Sequence, residues 1–350
     1  MLNVLFVTGL ALALAVLIVW GVRTLPAERW QMLAAIPLAK APDGTWRGLN
    51  LTFYGLFSAL GTTVGFVVML LLLASVGMPV LVSFLLFVFV LLVCIPASRI
   101  VAGLVERKKN TFTVAGAAFA ATIILPWVVL AARPLAARFL NREIPIVPTF
   151  AAMAIAYALG ESIGRLACLS FGCCYGMPLR DAKPAVAKLF QKHNLVISGS
   201  TKKAAYASGL ADEPLIPVQA ITSAIFAVSG IVGVTLFLAQ QFRLGALIPV
   251  LVSWGWRTCS EWLRADYRGT SRISAYQVMA VISAAYFGAF LAFIPEAAPV
   301  APDLASGFSQ LVSVPVILLV QFLWIALFLY YGRSRVTAST LSFHVVADRI

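Results

Sequence analysis

Long apolar stretches alternate with short polar ones along the whole chain. A helix needs about 20 mostly apolar residues to cross the hydrocarbon core of a bilayer. Nine segments reach that length: 2–22, 51–76, 79–104, 111–132, 146–170, 216–240, 244–265, 274–294 and 311–332. The pattern predicts an all-α fold, a polytopic transmembrane helix bundle. The first segment has the length of a signal peptide. It lacks a basic leading region and a small-x-small cleavage site, and Arg23 follows it directly, so it reads as a retained anchor. Two connections are long, 23–50 and 171–215. The second carries Arg180, Lys183, Lys188, Lys192, Lys202 and Lys203 and is large enough for a small extramembrane subdomain. No internal repeat and no low-complexity tract is evident.

Composition agrees with this pattern. Hydrophobic residues make up 61% of the 350 positions and charged residues 11%, with a mean hydropathy of +0.97. Soluble domains carry about 25% charged residues. Lys and Arg outnumber Asp and Glu by 26 to 13. In a soluble chain that excess would suggest nucleic acid. Here the basic residues sit mostly in short loops, so membrane lipids with anionic headgroups are the expected counter-charge and nucleic acid is not an expected partner.

Charge asymmetry sets orientation in many membrane proteins. One side of a nine-span chain collects 23–50, 105–110, 171–215, 266–273 and the C-terminal tail, and is the more basic. The other holds little beyond Arg133, Arg138, Arg142 and Arg243. The charge rule alone puts the 171–215 loop in the cytoplasm.

Ionisable residues inside spans are costly and mark candidate functional sites. Glu161 and Arg165 lie four residues apart, on one helix face. In "WGWRTCSEWLRADYRG", Arg257, Glu261 and Arg264 are spaced as one helical stripe. Arg99 ends the third span in "IPASRI", and Tyr54 opens the second in "LTFYGLF". Bland readings stand beside the functional one: Arg99 and Arg264 as snorkelling residues near helix ends, the Glu–Arg pairs as structural ion pairs, Tyr54 as an interfacial anchor. Against them, Arg165 and Arg257 sit one to three turns inside apolar helices. Guanidinium suits bidentate recognition of phosphate, and phospholipid is the abundant anion of a bilayer.

The five cysteines are Cys94, Cys168, Cys173, Cys174 and Cys259, an odd number in mostly apolar context. That is no disulfide framework, and buried free thiols are the simplest reading. The spacing C-x4-C-C is not a standard zinc pattern, adjacent thiols chelate one ion poorly, and no histidine is near, so no metal and no cofactor is expected. Gly172, Gly176 and Pro178 mark a tight helix exit.

Together these stretches resemble the prolipoprotein diacylglyceryl transferase family of bacteria. "GRLACLSFGCCYG", from Gly164 to Gly176, resembles a divergent form of the family signature that begins Gly-Arg. "FYGLF" (53–57), "ASRI" (97–100), "IPVQA" (216–220), "WRTCSEWLRADYRG" (256–269) and "ISAYQ" (273–277) resemble further family elements in order. The resemblance spans roughly 51–294, a seven-helix core containing the 171–215 head loop. It leaves outside an N-terminal anchor and connection (1–50) and an extra C-terminal helix and tail (295–350).

The resemblance implies a multi-pass enzyme of the bacterial cytoplasmic membrane. Its reaction moves a diacylglyceryl group from phosphatidylglycerol to the lipobox cysteine of a prolipoprotein. It implies catalytic roles for Arg165, Arg257, Tyr54 and Glu261. It implies substrate-binding roles for Arg99, Glu161, Cys168, Tyr175, Gly176 and Arg264. It also places the 171–215 loop outside the cytoplasm, against the charge rule. Three departures are plain. The family's His-Gly-Gly element is replaced by "TFTVAGAAF", Cys168 stands where asparagine is usual, and Ile221 and Thr222 replace an acid. The departures leave open a related transferase with a different acceptor, or a noncatalytic lipid-binding or transport protein.

Overall fold

The computed structural model describes residues 1–44, 46–107, 113–141, 143–267, 273–295, 300–334 and 348. Helix α1 (Leu2–Thr24) leads into an antiparallel hairpin, β1 (Met32–Lys40) and β2 (Trp46–Thr52). Four long helices follow: α2 (Phe53–Ser75), α3 (Val80–Glu106), α4 (Val114–Leu140) and α5 (Ile146–Phe171). The head loop folds into α6 (Pro184–Phe190), β3 (Leu195–Val196), α7 (Lys203–Ser208) and β4 (Pro214–Leu215). The chain then returns through α8 (Val218–Leu238), α9 (Phe242–Ser260), α10 (Ala275–Phe293), α11 (Leu304–Leu311) and α12 (Val314–Gly332), and β5 (Arg333–Ser334) pairs with β2. The all-α, polytopic bundle expected from the apolar pattern is the observed class.

Among the described residues, eight helices are long and apolar enough to cross a membrane: α1, α2, α3, α4, α5, α8, α10 and α12. The seventh expected span, 244–265, is a helix but not one of these eight. It is shorter than its apolar window, ends at Ser260, and carries Arg243, Trp254, Trp256 and Arg257. Its Trp256 and Arg257 pair with Thr222 and Glu161 of neighbouring helices. Half of the 23–50 connection, read from sequence only as a long link, pairs as strands of the β1–β2 hairpin. Its apolar residues are too few for a span, and the pairing that orders them is not visible in local pattern.

The helices terminate in two groups. At the head end, the amide of Phe53 donates to the carbonyl of Gln31, and that of Ser198 donates to Pro26. Gly332 ends α12 against Gly55 at the start of α2, where a Cβ on Gly55 would lie 2.0 Å from the Gly332 Cα. At the other end, the Asp303 amide donates to Ser75, and Arg243 donates to the carbonyls of Leu291 and Ile294. Inside a bilayer backbone groups are satisfied within helices. It is at these ends that polar partners are needed.

Lys202 shows how one such end is closed. It is fully buried, and its Nζ donates to the carbonyls of Leu25 (3.0 Å) and Ser170 (2.5 Å), at the ends of α1 and α5. Helix C-termini leave carbonyls without amide partners, and one ammonium satisfies two of them. Burial pushes that ammonium down to about 8.

The central contact joins α2 to α5. Gly61 and Gly65 on α2 face Gly160 and Ala156 on α5, backbone against backbone. A Cβ on Gly61 would sit 2.5 Å from the Gly160 carbonyl oxygen, and one on Gly160 would sit 2.8 Å from that of Gly61. Small residues four apart let helices in lipid approach closely and gain dispersion contacts that bulky residues forbid. Gly61→Ala is expected to lower the stability of the purified protein by about 1–3 kcal/mol through overpacking. The check is a thermal melt in detergent. A midpoint equal to wild type would mean the two helices separate without cost.

Candidate functional site

The α2–α5 contact sets one wall of a cavity of about 1200 Å³. Its lining comes from α2, α3, α4, α5, α9 and α10 and from the end of α12 with β5, and Ser200, Thr201, Lys203 and Tyr206 of the head loop line one end. Phe66, Met69, Phe87, Leu125, Phe150 and Phe287 make much of the rest apolar. Five basic residues (Arg165, Lys203, Arg257, Arg264 and Arg333) and three acidic ones (Glu161, Glu261 and Asp266) line it. A volume with one polar and one apolar portion matches an amphiphile.

On α5, Tyr157, Glu161, Arg165 and Cys168 recur every three or four residues, so all four project to the same face of the helix. Glu161 is the hub. Its Oε1 accepts from Nη2 of Arg165 and, at 3.0 Å, from Nη2 of Arg257 on α9. Tyr157 accepts from Nε (3.1 Å) and Nη2 (2.8 Å) of Arg257. The rings of Phe226 and Trp254 lie 5.8 Å from the Arg257 guanidinium carbon, within cation–π range. Arg165 is 6% exposed, and its Nε has no hydrogen-bond partner among the described residues. A buried guanidinium donor without an acceptor is costly, so this side chain is held at an energetic cost.

The expected stripe of Arg257, Glu261 and Arg264 does not form. Helix α9 stops at Ser260, residues 261–263 wind more tightly, and Arg264 is extended. The cause is tertiary. Gly176 and Arg264 form a backbone bridge, the amide of Met177 donates to Leu263, and that of Ala265 donates to Tyr175. Arg257 therefore pairs across helices with Glu161 rather than along its own helix with Glu261. Arg264 instead grips Asp266 with two bonds, 2.7 and 2.8 Å, and lies 3.8 Å from Glu261. Ser274, which caps α10 through a reciprocal pair with Gln277, also donates to Glu261 at 3.1 Å. The "ISAYQ" stretch is thus a helix start that fixes a carboxylate in the cavity wall.

The cysteine-rich exit of α5 is a Schellman turn. Gly172 adopts φ 69°, and the Cys168 carbonyl accepts from the amides of both Gly172 and Cys173. Cys174 follows at φ 56°, unusual for a side-chain-bearing residue. The three sulfurs of Cys168, Cys173 and Cys174 lie within 4.8 Å of one another in the cavity wall. Gln219, from "IPVQA", holds the turn by donating to the Cys173 carbonyl at 2.9 Å. Within the trio, the Cys174 thiol is held below the ordinary thiol range. Hydrogen bonds from Cys168 and Cys173 are the larger cause, and the charges of Arg264 and Arg165 add to them.

The structure brings Tyr54, Glu161, Arg165, Cys168, Arg257, Glu261 and Arg264 into the lining of one cavity. Tyr54 rests ring-edge on Phe171. Three expected residues stand elsewhere. Arg99 is exposed on the outer side of α3, donates to the Tyr330 hydroxyl at 2.7 Å, and is not in the lining. Tyr175 is buried in the head, its hydroxyl 2.6 Å from that of Ser208. Gly176 is packed too tightly for any ligand, since a Cβ there would lie 2.2 Å from the Ile216 carbonyl oxygen. These two shape the site by holding the α5 exit against 261–266. Tyr157, Asp266 and Ser274 were not among the residues expected from sequence. Arg268 and Gly269, which close the 256–269 stretch, and His344 lie outside the described residues.

No curated protein sequence matches the chain. Residues 45–294 match the family model described as prolipoprotein diacylglyceryl transferase. That match covers more than two thirds of the sequence and all of the cavity-forming charged residues except Arg333. The chain belongs to the prolipoprotein diacylglyceryl transferase family.

Proposed function

We propose that this multi-pass membrane transferase moves a diacylglyceryl group from phosphatidylglycerol to a cysteine thiol of a prolipoprotein. The observation that carries the reading is the buried Glu161-centred clamp of two arginines in the wall of a largely apolar cavity. The apolar part takes acyl chains and the charged part takes the headgroup phosphate. In the reaction the thiol sulfur bonds to the glyceryl carbon, the carbon–oxygen bond to phosphate breaks, and glycerol phosphate leaves. Negative charge grows on the leaving phosphate. Arg165 and Arg257 are preset to receive it, because Glu161 and Tyr157 hold their planes before substrate arrives. Preorganised donors in a water-poor site stabilise such charge strongly. The test is complementation of a bacterial host depleted of its own diacylglyceryl transferase. Growth restored by the wild-type chain supports the reading, and no growth despite membrane insertion opposes it.

A second reading keeps the donor and changes the acceptor. It rests on one observation: no histidine lines the cavity among the described residues. Thr222, near where an acid is usual, instead accepts from the Trp256 indole at 2.8 Å.

The reading fixes an orientation. A transferase acting on secreted prolipoproteins meets them at the outer leaflet of the cytoplasmic membrane, so the head loop faces outward and the positive-inside tendency is overridden here. In a variant without the native cysteines, Ser200→Cys is expected to react with an impermeant maleimide on intact cells. Reaction only after lysis would turn the head inward and remove the prolipoprotein as acceptor.

A further inference from the structure

The three converging thiols lie beside the clamp, where Cys168 meets Arg165. Two of them are explained by helix termination, since a Schellman turn brings residue C3 against residue C″, here Cys168 against Cys173. Nothing in that turn requires the third. Cys174 takes a left-handed backbone conformation and brings its sulfur to the same point, 3.9 Å from that of Cys168. Zinc binds thiolate sulfur at about 2.3 Å, so two sulfurs on one tetrahedral ion are about 3.8 Å apart. The Cys168–Cys174 separation matches this, and the third sulfur needs to close by less than about 1 Å. The spacing C-x4-C-C argued against a metal. The fold supplies a convergence that spacing does not show.

Charge also fits. Three thiolates around a dication leave one net negative charge. Arg165 Nη1 lies 4.0 Å from the Cys168 sulfur, and Arg264 lines the same wall. All three cysteines face the cavity, so a fourth coordination position would open into it. Three protein ligands with one open position is the arrangement of catalytic zinc rather than structural zinc.

We infer that Cys168, Cys173 and Cys174 form a three-thiolate site for a zinc-type divalent ion whose open position takes the acceptor thiol. The metal site stands on geometry alone; the choice of thiol as fourth ligand rests on the transferase reading. A thiol that coordinates such an ion gives up its proton outright. The bound thiolate then attacks the glyceryl carbon, the sulfur–carbon bond forms, and the carbon–oxygen bond to phosphate breaks. The thiol proton ends on the released phosphate monoester. No oxidation is involved. The ion would take the place of a histidine base, which the cavity lining does not hold among the described residues.

The test uses the full-length protein, purified in detergent and loaded with cobalt in place of zinc. One cobalt per chain is expected, with intense thiolate-to-cobalt charge-transfer absorption. A lipobox-type peptide with a free cysteine should shift the visible bands, and its serine analogue should not. Cys174→Ser should bind cobalt at least tenfold more weakly while retaining the wild-type elution profile. Wild-type protein that holds no stoichiometric metal, or bands indifferent to the thiol peptide, would overturn the site. Transfer by fully stripped protein at the loaded rate would remove the metal and leave the transferase reading intact. Metal and thiol binding without any diacylglyceryl transfer would do the reverse.

Discussion

Arg165→Ala is expected to lower diacylglyceryl transfer by about 10²–10³-fold, the range seen when one preorganised donor to developing negative charge is lost. The fold should survive, because Glu161 keeps its bond from Arg257 at 3.0 Å. Arg165→Lys should recover little, since an ammonium cannot present a planar fork to phosphate. The same pattern is expected for Arg257, with an added cost from leaving Tyr157 without its two donated bonds. Initial rates with a fixed lipobox peptide, measured beside a melting curve, separate chemistry from stability. Near-normal turnover in Arg165→Lys would mean the site needs only a point charge there.

Glu161→Leu is expected to be worse, and for a different reason. Both guanidiniums touch one carboxylate oxygen, and all three side chains are about nine-tenths buried. Removing one partner of a buried pair leaves uncompensated charge and costs about 3–5 kcal/mol. Here two charges lose the same partner. The variant should express poorly or melt well below wild type, and phospholipid added at saturation should restore part of the loss by supplying the missing anion. Glu161→Gln keeps one acceptor and should lie between the two. A Glu161→Leu protein as stable as wild type would show that the guanidiniums are solvated, and the picture of a dry clamp would fail.

The bundle was legible because its cause is local. Twenty apolar residues declare a span whatever surrounds them, and α1, α2, α5 and α8 begin and end within a few residues of the apolar windows. The α5 stripe was legible for the same reason, since Glu161 and Arg165 are neighbours on any helix. Tyr157 stands one turn earlier at the same spacing and was the available signal for the fourth member. What was illegible depends on chain segments far apart in sequence. Glu261 and Arg264 left the expected stripe because backbone bonds between Tyr175, Gly176 and Met177 and residues 263–265 end α9 early. Arg257 found Glu161, 96 residues away, instead of Glu261 four residues on. The hairpin of β1 and β2 escaped because strand pairing carries no length signature comparable to a span. Cysteine spacing showed a helix exit and not the Cys174 backbone angle that turns a contact pair into a trio.

Intact mass of a lipobox peptide reads the transfer itself. The purified chain would be incubated with phosphatidylglycerol of defined acyl composition and a peptide bearing one cysteine. The expected product is a peptide heavier by one diacylglyceryl group, blocked at its thiol, with an equal amount of glycerol phosphate released and with both products lost in Arg165→Ala. A peptide of unchanged mass beside intact phosphatidylglycerol, from protein that binds the lipid and keeps its fold, would contradict the proposed transfer.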